Sequence, residues 1–139
     1  MQQITISTDK TKLGLNYIHH YLSEESYWAK NIPFNVVRKS IEGSLCFGVY
    51  NNDTQIGFAR VITDYATFGY LADVFIDKAY RGRGISKKLM HYIMICEELK
   101  GLRNFMLATL DAHTLYEQFG FKSLKEPTRY MSIKFFESY

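Results

Sequence analysis

The segment Tyr80–Ser86, YRGRGIS, concentrates two arginines and two glycines between an apolar stretch and a long amphipathic one. If a helix begins here, its first turn has backbone N–H groups without intrahelical partners, and its peptide dipoles add partial positive charge. Gly82 and Gly84 would let an anion approach the main chain without meeting a Cβ atom. The stretch from Ala79 to Cys96 contains no Asp or Glu. The segment therefore indicates either a phosphate or pyrophosphate site or a solvated basic loop before a helix.

Two familiar phosphate-binding patterns do not fit this segment. The P-loop needs a lysine followed by Ser or Thr after its second glycine, and GRGISKK does not supply that order. The dinucleotide fingerprint needs a third glycine where this chain has Lys87. Nucleoside triphosphates and NAD are therefore disfavoured, and another phosphate-bearing ligand is expected.

Composition predicts one domain over residues 1–139, because 139 residues with 47% apolar side chains suffice for one core. A net charge of +3 does not suggest a nucleic-acid binder, and the sequence shows neither a signal peptide nor an apolar run of transmembrane length. Cys46 and Cys96 lack CxxC spacing, which favours reduced, buried thiols in a cytoplasmic protein over a disulfide.

The first half of the chain predicts a strand, two helices and a hairpin. QITIST alternates in the manner of an edge strand, Leu13–Leu22 has helical spacing, and a second helix begins near Pro33 and stops at Gly43. LCFGVYNNDTQIGFARVIT places turn-forming residues between two β-prone runs and predicts a hairpin.

The second half predicts three further strands and two further helices. TFGYLADVFI, NFMLAT and TRYMSIKFF are the strands. Ile85–Leu99 has one apolar helical face, and AHTLYEQF is a short helix closed by Gly120. The order β-α-α-β-β-β-α-β-α-β favours a mixed sheet with helices packed on it.

Two of these segments resemble motifs of the GNAT superfamily of N-acetyltransferases. DVFIDKAYRGRGISKKLM is similar to the family's acetyl-CoA-binding motif, in which Arg81 and Gly84 match and Ser86 replaces the final glycine or alanine. LYEQFGFK is similar to the later signature, a short helix leading into a Gly-Phe turn. The resemblance implies an α/β fold of the α+β mixed, GNAT-like kind. Its central sheet, mostly antiparallel, would have six to seven strands, about four flanking helices and a splay between strands 4 and 5.

The resemblance also implies how acetyl-CoA is held as acyl donor. The pantetheine arm would lie in the splay, where a main-chain N–H of one strand segment would polarise the acetyl carbonyl; this segment is Val74, Phe75 and Ile76. Thr109 stands where the family often has an asparagine that binds the cofactor. The backbone of six residues would bind the pyrophosphate: Arg81, Gly82, Arg83, Gly84, Ile85 and Ser86.

Two side chains are the catalytic candidates. Tyr116 matches the family tyrosine that faces the sulfur and would be the general acid for the leaving thiolate; otherwise it is a buried aromatic residue. Asp73 interrupts an apolar strand beside the expected carbonyl site, so it is either the general base or a structural hydrogen-bond acceptor. Asp111 and His113 are reserve candidates for the base, although Asp111 is equally explained as a helix N-cap.

The acceptor site is expected around SYWAKN, the region where the superfamily builds it. Tyr27 and Trp28 would form an aromatic wall for the acceptor, unless Trp28 belongs to the core. His19 and His20 have no partners at ligand spacing, so no metal is expected.

The combined hypothesis is transfer of an acetyl group from acetyl-CoA to a primary amine by direct attack in a ternary complex. The acceptor would be a small molecule or a peptide, with no membrane or nucleic-acid partner, and the family suggests a homodimer. Two alternatives stay open. One is a catalytically silent acyl-CoA-binding module that regulates a partner, and the other is acetylation of an RNA-linked amine.

Overall fold

A computed structural model describes residues 3–139, which form one mixed sheet with helices on both of its faces. The five strands lie in the order β1-β2-β3-β4-β5. The strands are β1 Ile4–Ser7, β2 Leu45–Asn51, β3 Thr54–Thr63, β4 Phe68–Ile76 and β5 Asn104–Leu107. The α-helices are α1 Leu15–His20, α2 Phe34–Glu42, α3 Ile85–Met94 and α4 His113–Glu117.

The predicted hairpin is confirmed, and it is part of an antiparallel meander. Strands β1 to β4 pair antiparallel in sequence order, and β2 and β3 are joined by the two residues Asn52 and Asp53. Asn52 adopts a φ of 54°, which asparagine tolerates better than most residues, so the turn chemistry explains the hairpin. The edge position predicted for the first strand is also found.

The sheet opens between β4 and β5, as the family resemblance implied. These strands pair in parallel, but their register runs only from Phe68 opposite Asn104 to Leu71 opposite Leu107. β5 then ends, whereas β4 continues to Ile76. The second half of β4 therefore has a free edge on this side, and a gap widens beside it.

Two apolar clusters fix the helices on the two faces of the sheet. The α3 side is built around Phe47, Val61 and Leu89. The α1 and α2 side is built around Ile18 and Phe58. Each of these five side chains is 0% exposed, and along β2 Leu45 and Phe47 lie in the first cluster whereas Cys46 between them lies in the second. The sheet is therefore a rigid central layer from which the loops at the ends of β4 and β5 project.

The helices are shorter than their sequence patterns predict. The periodicity up to Leu22 continues as a π-helical turn at Tyr21–Glu25, and the pattern up to Leu99 breaks after Met94 before the short 3₁₀ turn Glu97–Leu99. The backbone hydrogen-bond pattern changes at these turns, but apolar side chains can still lie on one common face of the segment. The regular α-helix therefore ends earlier than the apolar pattern of the sequence does.

The prediction of six to seven strands is wrong, because residues 3–139 contain five. The segment TRYMSIKFF is not a strand, and it belongs to an exposed stretch, residues 125–139, that we call the C-terminal arm. Its apolar side chains face solvent: Met131 is 96% exposed, Ile133 78% and Phe135 87%. A strand requires a hydrogen-bonded neighbour, and no described strand pairs with the arm.

Candidate functional site

The glycine-rich segment forms an exposed loop that leads into α3. Gly82 has a φ of 77° and Gly84 a φ of 76°, values in the left-handed region that side-chain-bearing residues avoid. Gly84 is the N-cap of α3, and a Cβ atom added at either glycine would meet nothing within 4 Å. The loop therefore leaves open space above main-chain N–H groups, as an anion cradle requires.

The start of α3 supplies those N–H groups. The first intrahelical bond across the N-cap is donated by Lys88 to the Gly84 carbonyl, at 3.2 Å. The preceding amides of Ile85, Ser86 and Lys87 have no helical acceptor, by the geometry of any α-helix. Because the ten-residue helix adds its dipole and no acidic side chain lies in its first turn, this end of α3 favours a negatively charged ligand.

The two loop arginines are held by the protein itself. Arg81 donates from Nε to the Ile76 carbonyl at 3.1 Å and from a terminal nitrogen to the Tyr21 hydroxyl at 2.6 Å. The Arg83 guanidinium lies 5.2 Å from the ring centroid of Tyr80. Arg81 thus fixes the loop to the end of β4, and the backbone rather than this side chain is left for a ligand.

A cavity of about 610 Å³ lies at the opening between β4 and β5. It brings together six of the residues predicted for the site: Tyr27, Trp28, Asp73, Val74, Thr109 and Tyr116. Asp111 lines it as well, whereas His113 does not and instead faces the outer side of α4. The glycine-rich loop lies outside the cavity, beyond the far end of β4.

A bulge in β4 changes the backbone direction inside this cavity. The register passes from Phe58 opposite Phe75 to Arg60 opposite Ala72, so Asp73 and Val74 share one partner position on β3. Asp73 has a φ of 53°, which is uncommon for a residue other than glycine. A bulge of this kind leaves one residue out of the ladder, and strained backbone is concentrated at functional sites.

The Asp73 carboxylate is engaged on both oxygens. Arg60 Nε donates to Oδ2 at 2.6 Å, and Trp28 Nε1 donates to Oδ1 at 2.8 Å. The side chains of Arg60 and Asp73 are 17% and 10% exposed, so solvent screens this ion pair weakly. Both oxygens of the carboxylate are therefore occupied by donors of the protein itself, which fix the orientation of the side chain.

Tyr116 projects from α4 into the cavity and is 8% exposed. Burial raises the pKa of its phenol to about 12, and the nearby Tyr27 and Asp111 add to the shift. The ring packs edge-on against Phe121 at 6.0 Å between centroids. The hydroxyl is therefore protonated at neutral pH, and its ring position is fixed by packing.

The acceptor-wall candidates are exposed at the cavity rather than buried. Trp28 is 41% exposed, so its interpretation as a core residue is wrong. Tyr27 packs edge-on against Trp28 at 5.1 Å, and its hydroxyl accepts from the Leu110 N–H at 3.2 Å. These contacts connect the segment before α2 to the loop before α4 and close one side of the cavity.

The other residues predicted for the site are two residues of β4 and two residues of the loop before α4. Phe75 and Ile76 are 4% and 5% exposed, so their side chains belong to the core and only their main chain can serve a ligand. Thr109 accepts the Ala112 N–H on Oγ1 at 3.0 Å. The N-cap of α4 is Ala112. The N-cap interpretation of Asp111 is therefore wrong, and the Asp111 carboxylate is available to a ligand in the cavity.

Sequence reasoning missed Arg60 and Tyr139, both of which line the cavity. Arg60 had a signal of the same kind as Asp73, since it is a lone charge inside the apolar run IGFARVI. Its partner could have been sought among the acidic residues of neighbouring strands. Tyr139 had no signal, because nothing local indicates that the arm ends at the cavity.

Within residues 3–139 no group of three or more His, Cys, Asp or Glu side chains is arranged to hold a metal ion. The same residues contain no helix with the length and apolar character needed to cross a membrane. Cys46 and Cys96 are free, as expected, and neither lines the cavity.

Comparisons with protein families, with individual sequences and with solved structures all indicate the same family. The family described as the acetyltransferase (GNAT) domain matches residues 42–123, more than half of the chain. A relative from Gibberella zeae, named as a candidate acetyltransferase, is 32% identical over 87% of this chain and 80% of its own. The thialysine N-epsilon-acetyltransferase of Sus scrofa is 34% identical over 58% of this chain and 52% of its own.

A crystal structure from Xanthomonas campestris, described as a GNAT-family candidate acetyltransferase, superimposes with a TM-score of 0.93 at 47% identity. The superposition covers 96% of this chain and 94% of that one. The matched segment includes the glycine-rich loop, β5 and α4, which carry the site described above. On this combination of motif, fold and cavity, the chain belongs to the GNAT family of acetyltransferases.

Proposed function

We propose that this protein transfers an acetyl group from acetyl-CoA to a primary amine by direct attack in a ternary complex. One observation carries the proposal: the gap between β4 and β5 has an anion cradle beyond one end and, at the other, a cavity containing a protonated buried phenol. An extended thioester arm with a diphosphate at one end matches that arrangement.

The cradle would hold the diphosphate through the amides of Ile85, Ser86 and Lys87, which point out of the first turn of α3. The open space at Gly82 and Gly84 allows phosphate oxygens to reach the main chain. The free edge of β4 from Ala72 to Ile76 would bind the amide groups of the pantetheine arm as a neighbouring strand does. The bound cofactor supplies an acyl thioester at the cavity.

The transfer itself needs three groups from the chain. A main-chain N–H at the Asp73–Val74 bulge would stabilise the negative charge that develops on the carbonyl oxygen as the amine nitrogen bonds to the carbonyl carbon. When the carbon–sulfur bond breaks, the Tyr116 hydroxyl would donate its proton to the thiolate and be reprotonated from solvent. The phenol holds that proton at neutral pH, as any tyrosine does, and its raised pKa extends the protonated range to higher pH.

The cavity charge favours a cationic acceptor before deprotonation. Asp73 is balanced by Arg60, whereas Asp111 is an additional carboxylate in the same cavity. With the Tyr27 and Trp28 rings on one wall, the cavity suits an alkylammonium group. The pig relative is named for acetylation of a terminal side-chain amine, which is the same chemical class.

We assign Asp73 a positioning role and Asp111 the role of attracting the amine and accepting its proton, directly or through water. Asp73 accepts a hydrogen bond on each oxygen, from Trp28 and from Arg60, so its carboxylate is held by the protein and orients both partners. Asp111 is exposed and caps no helix. Removing a proton from an amine with a pKa near 10.4 costs several kcal/mol at neutral pH, so the amine needs a nearby acceptor, either the Asp111 carboxylate or a water that it orients.

The test is thioester consumption with a panel of amines. The purified protein, incubated with acetyl-CoA, should release free thiol with alkylamines, and mass spectrometry should find each amine heavier by one acetyl group. Neutral alcohols of similar size should release no thiol. Thiol release without an acetylated product would contradict the proposal.

The same assay separates the alternatives. A silent acyl-CoA-binding module would bind the cofactor in calorimetry but release no thiol with any amine. An enzyme for RNA-linked amines would need aminoacylated RNA in the panel, and its rate would fall steeply with salt.

The two free cysteines support a reducing, cytoplasmic compartment for the reaction.

A further inference from the structure

Arg60 is a charged residue on the middle strand of the sheet. It lies on β3 opposite Cys46 of β2 and Ala72 of β4, so a strand flanks it on each side. Its side chain is 17% exposed, whereas arginines usually lie in solvent. Burying a guanidinium costs desolvation free energy, and a buried ion pair often adds no stability in return. We therefore look for the role of Arg60 in the cavity that it lines.

The contacts of Arg60 fix its positive charge in one place. Nε donates to Oδ2 of Asp73 at 2.6 Å, and Nη1 donates to the Ser44 hydroxyl at 3.1 Å. Ser44 is itself buried, and its hydroxyl donates to the Ser40 carbonyl in α2 at 2.7 Å. A planar guanidinium that is bonded on two of its nitrogens cannot turn away without losing both contacts. Its charge therefore stays beside Asp73.

The charges of the cavity nearly cancel. Among the described residues that line it, the charged side chains are Arg60, Asp73 and Asp111. The first two form the buried ion pair, which has no net charge. Asp111 is exposed, and it lies close enough to Tyr116 to contribute to the raised pKa of that phenol. Two carboxylates thus line the cavity, but their sum with the guanidinium is one negative charge.

The aromatic wall connects the two carboxylates. Trp28 Nε1 donates to Asp73 at 2.8 Å, and the Trp28 ring packs edge-on against Tyr27. At the other end of the wall, the Tyr27 hydroxyl accepts from the N–H of Leu110, the chain neighbour of Asp111. A ligand lying along the two rings would therefore have one carboxylate towards each end. The carboxylate at the Trp28 end is already paired with a guanidinium.

We propose that Arg60 masks the charge of Asp73, so that the acceptor site selects amines with one cationic group over amines with two. This selection rests on the acetyl transfer proposed above, because it concerns the acceptor of that reaction. A single ammonium group would pair with the unmasked Asp111. The second ammonium group of a diamine would be desolvated near a carboxylate that is already paired, and it would be repelled by the guanidinium.

The test compares two linear acceptors of equal length, aminobutanol with one cationic group and diaminobutane with two. The wild type should have the higher kcat/KM per amino group with aminobutanol. Arg60→Gln removes the positive charge, so its preference should shift towards diaminobutane by about fivefold or more, the size of one added charge pair. Wild-type preference for diaminobutane, or an unchanged preference in Arg60→Gln, would overturn the proposal.

Arg38→Gln is the matched control for the same substitution. Arg38 pairs with Glu42 on the exposed face of α2 and does not line the cavity. This variant should keep the wild-type preference. A shift in Arg38→Gln as large as that in Arg60→Gln would show that the charge of the whole protein, and not the masked pair, selects the acceptor, which would also overturn the proposal.

A second variant tests the charge of the cavity without breaking the buried pair. Leu110 is 72% exposed and lines the cavity, so Leu110→Asp adds an unmasked carboxylate at little cost to folding. Its preference should shift towards diaminobutane, whereas Leu110→Asn, which has the same size without the charge, should behave as the wild type. Equal preferences of these two variants would overturn the proposal even if Arg60→Gln fails to fold.

Binding can be measured separately from turnover, because Trp28 is the only tryptophan of the chain. Its fluorescence, titrated with each acceptor in the presence of coenzyme A, should give the lower Kd for aminobutanol in the wild type. Such a result without thiol release would contradict the acetyl transfer but support the selection by charge. Thiol release with equal affinities for the two acceptors would support the transfer and overturn the selection.

Discussion

The glycine-rich loop and the acceptor cavity are built in opposite ways. The loop takes its shape from residues within a few positions of each other, since two left-handed glycines and the first turn of α3 account for it. The cavity is held by contacts between distant segments. Trp28 bonds Asp73 across 45 positions of the chain, and Tyr27 bonds the Leu110 amide across 83.

This difference explains how each region should respond to change. A loop shaped by local backbone preferences depends on residue type at one or two positions and tolerates variation around it. A cavity assembled from side-chain contacts depends on pairs, so losing one partner affects the other. Local motifs also suit a cofactor common to a whole family, whereas long-range contacts can vary with the acceptor.

The largest expected effect is on the chemical step. Tyr116→Phe removes the proposed proton donor but keeps the ring that packs on Phe121, so turnover should fall by about 10²-fold or more with little change in acetyl-CoA affinity. Steady-state rates and calorimetry measure the two quantities. Tyr65→Phe, at an exposed tyrosine outside the cavity, is the control. Equal losses in turnover and affinity would reduce Tyr116 to a structural support.

A change in the loop should act on cofactor binding instead. Gly84→Val forces a β-branched residue into a left-handed conformation and puts methyl groups where the anion approaches, so the Kd for acetyl-CoA should rise about 10- to 100-fold. Gly101→Val is a matched control, because Gly101 has a φ of 88° and open surroundings but lies outside the loop, after α3. If both variants bind acetyl-CoA as the wild type does, the loop is not the diphosphate site.

A change in the cavity should act on the acceptor. Trp28→Phe keeps an aromatic wall but removes the N–H that donates to Asp73, so the KM for the amine should rise up to about tenfold, while the Kd for acetyl-CoA stays unchanged. Initial rates at saturating acetyl-CoA measure the effect. An unchanged KM would mean that the contact does not position the acceptor.

The smallest effect should appear in stability at high pH. Burial raises the pKa of Tyr116 from 10.0 to about 12, so the folded state holds the phenolic proton more tightly than the unfolded state does. Its contribution is complete below pH 10 and is lost as the pH rises towards 12. Across that window the wild type should lose on the order of 2 kcal/mol relative to Tyr116→Phe. Urea unfolding of both at pH 8 and 11 measures it, and parallel curves would contradict the raised pKa.

How far the sequence predicts this molecule follows the same division. The hairpin, the order of strands and α-helices as far as α4, and the glycine-rich loop follow from turn residues, hydrophobic periodicity and a spaced motif, all of which are local. The partners of Asp73 cannot be predicted from local patterns, because Arg60 and Trp28 contact it only after β3, β4 and the segment before α2 have assembled. The sequence does not predict the bulge at Asp73 either, because nothing in LADVF indicates a residue with positive φ.

The C-terminal arm shows a different limit. Its alternation is typical of a strand, yet the segment is not one, because a pattern states only which side chains could share a face. Whether the strand forms depends on a hydrogen-bonded neighbour, and no described strand pairs with the arm.

The contacts of Arg81 have one more consequence. Its guanidinium joins the Ile76 carbonyl to the Tyr21 hydroxyl, and the Tyr21 ring stacks on Phe75 with 3.8 Å between centroids. Immobilising the loop with a diphosphate would thus also steady the π-helical turn Tyr21–Glu25, which leads directly into the segment carrying Trp28. The donor would then prepare the binding wall of the second substrate, which favours a kinetic order in which coenzyme enters first and the amine follows.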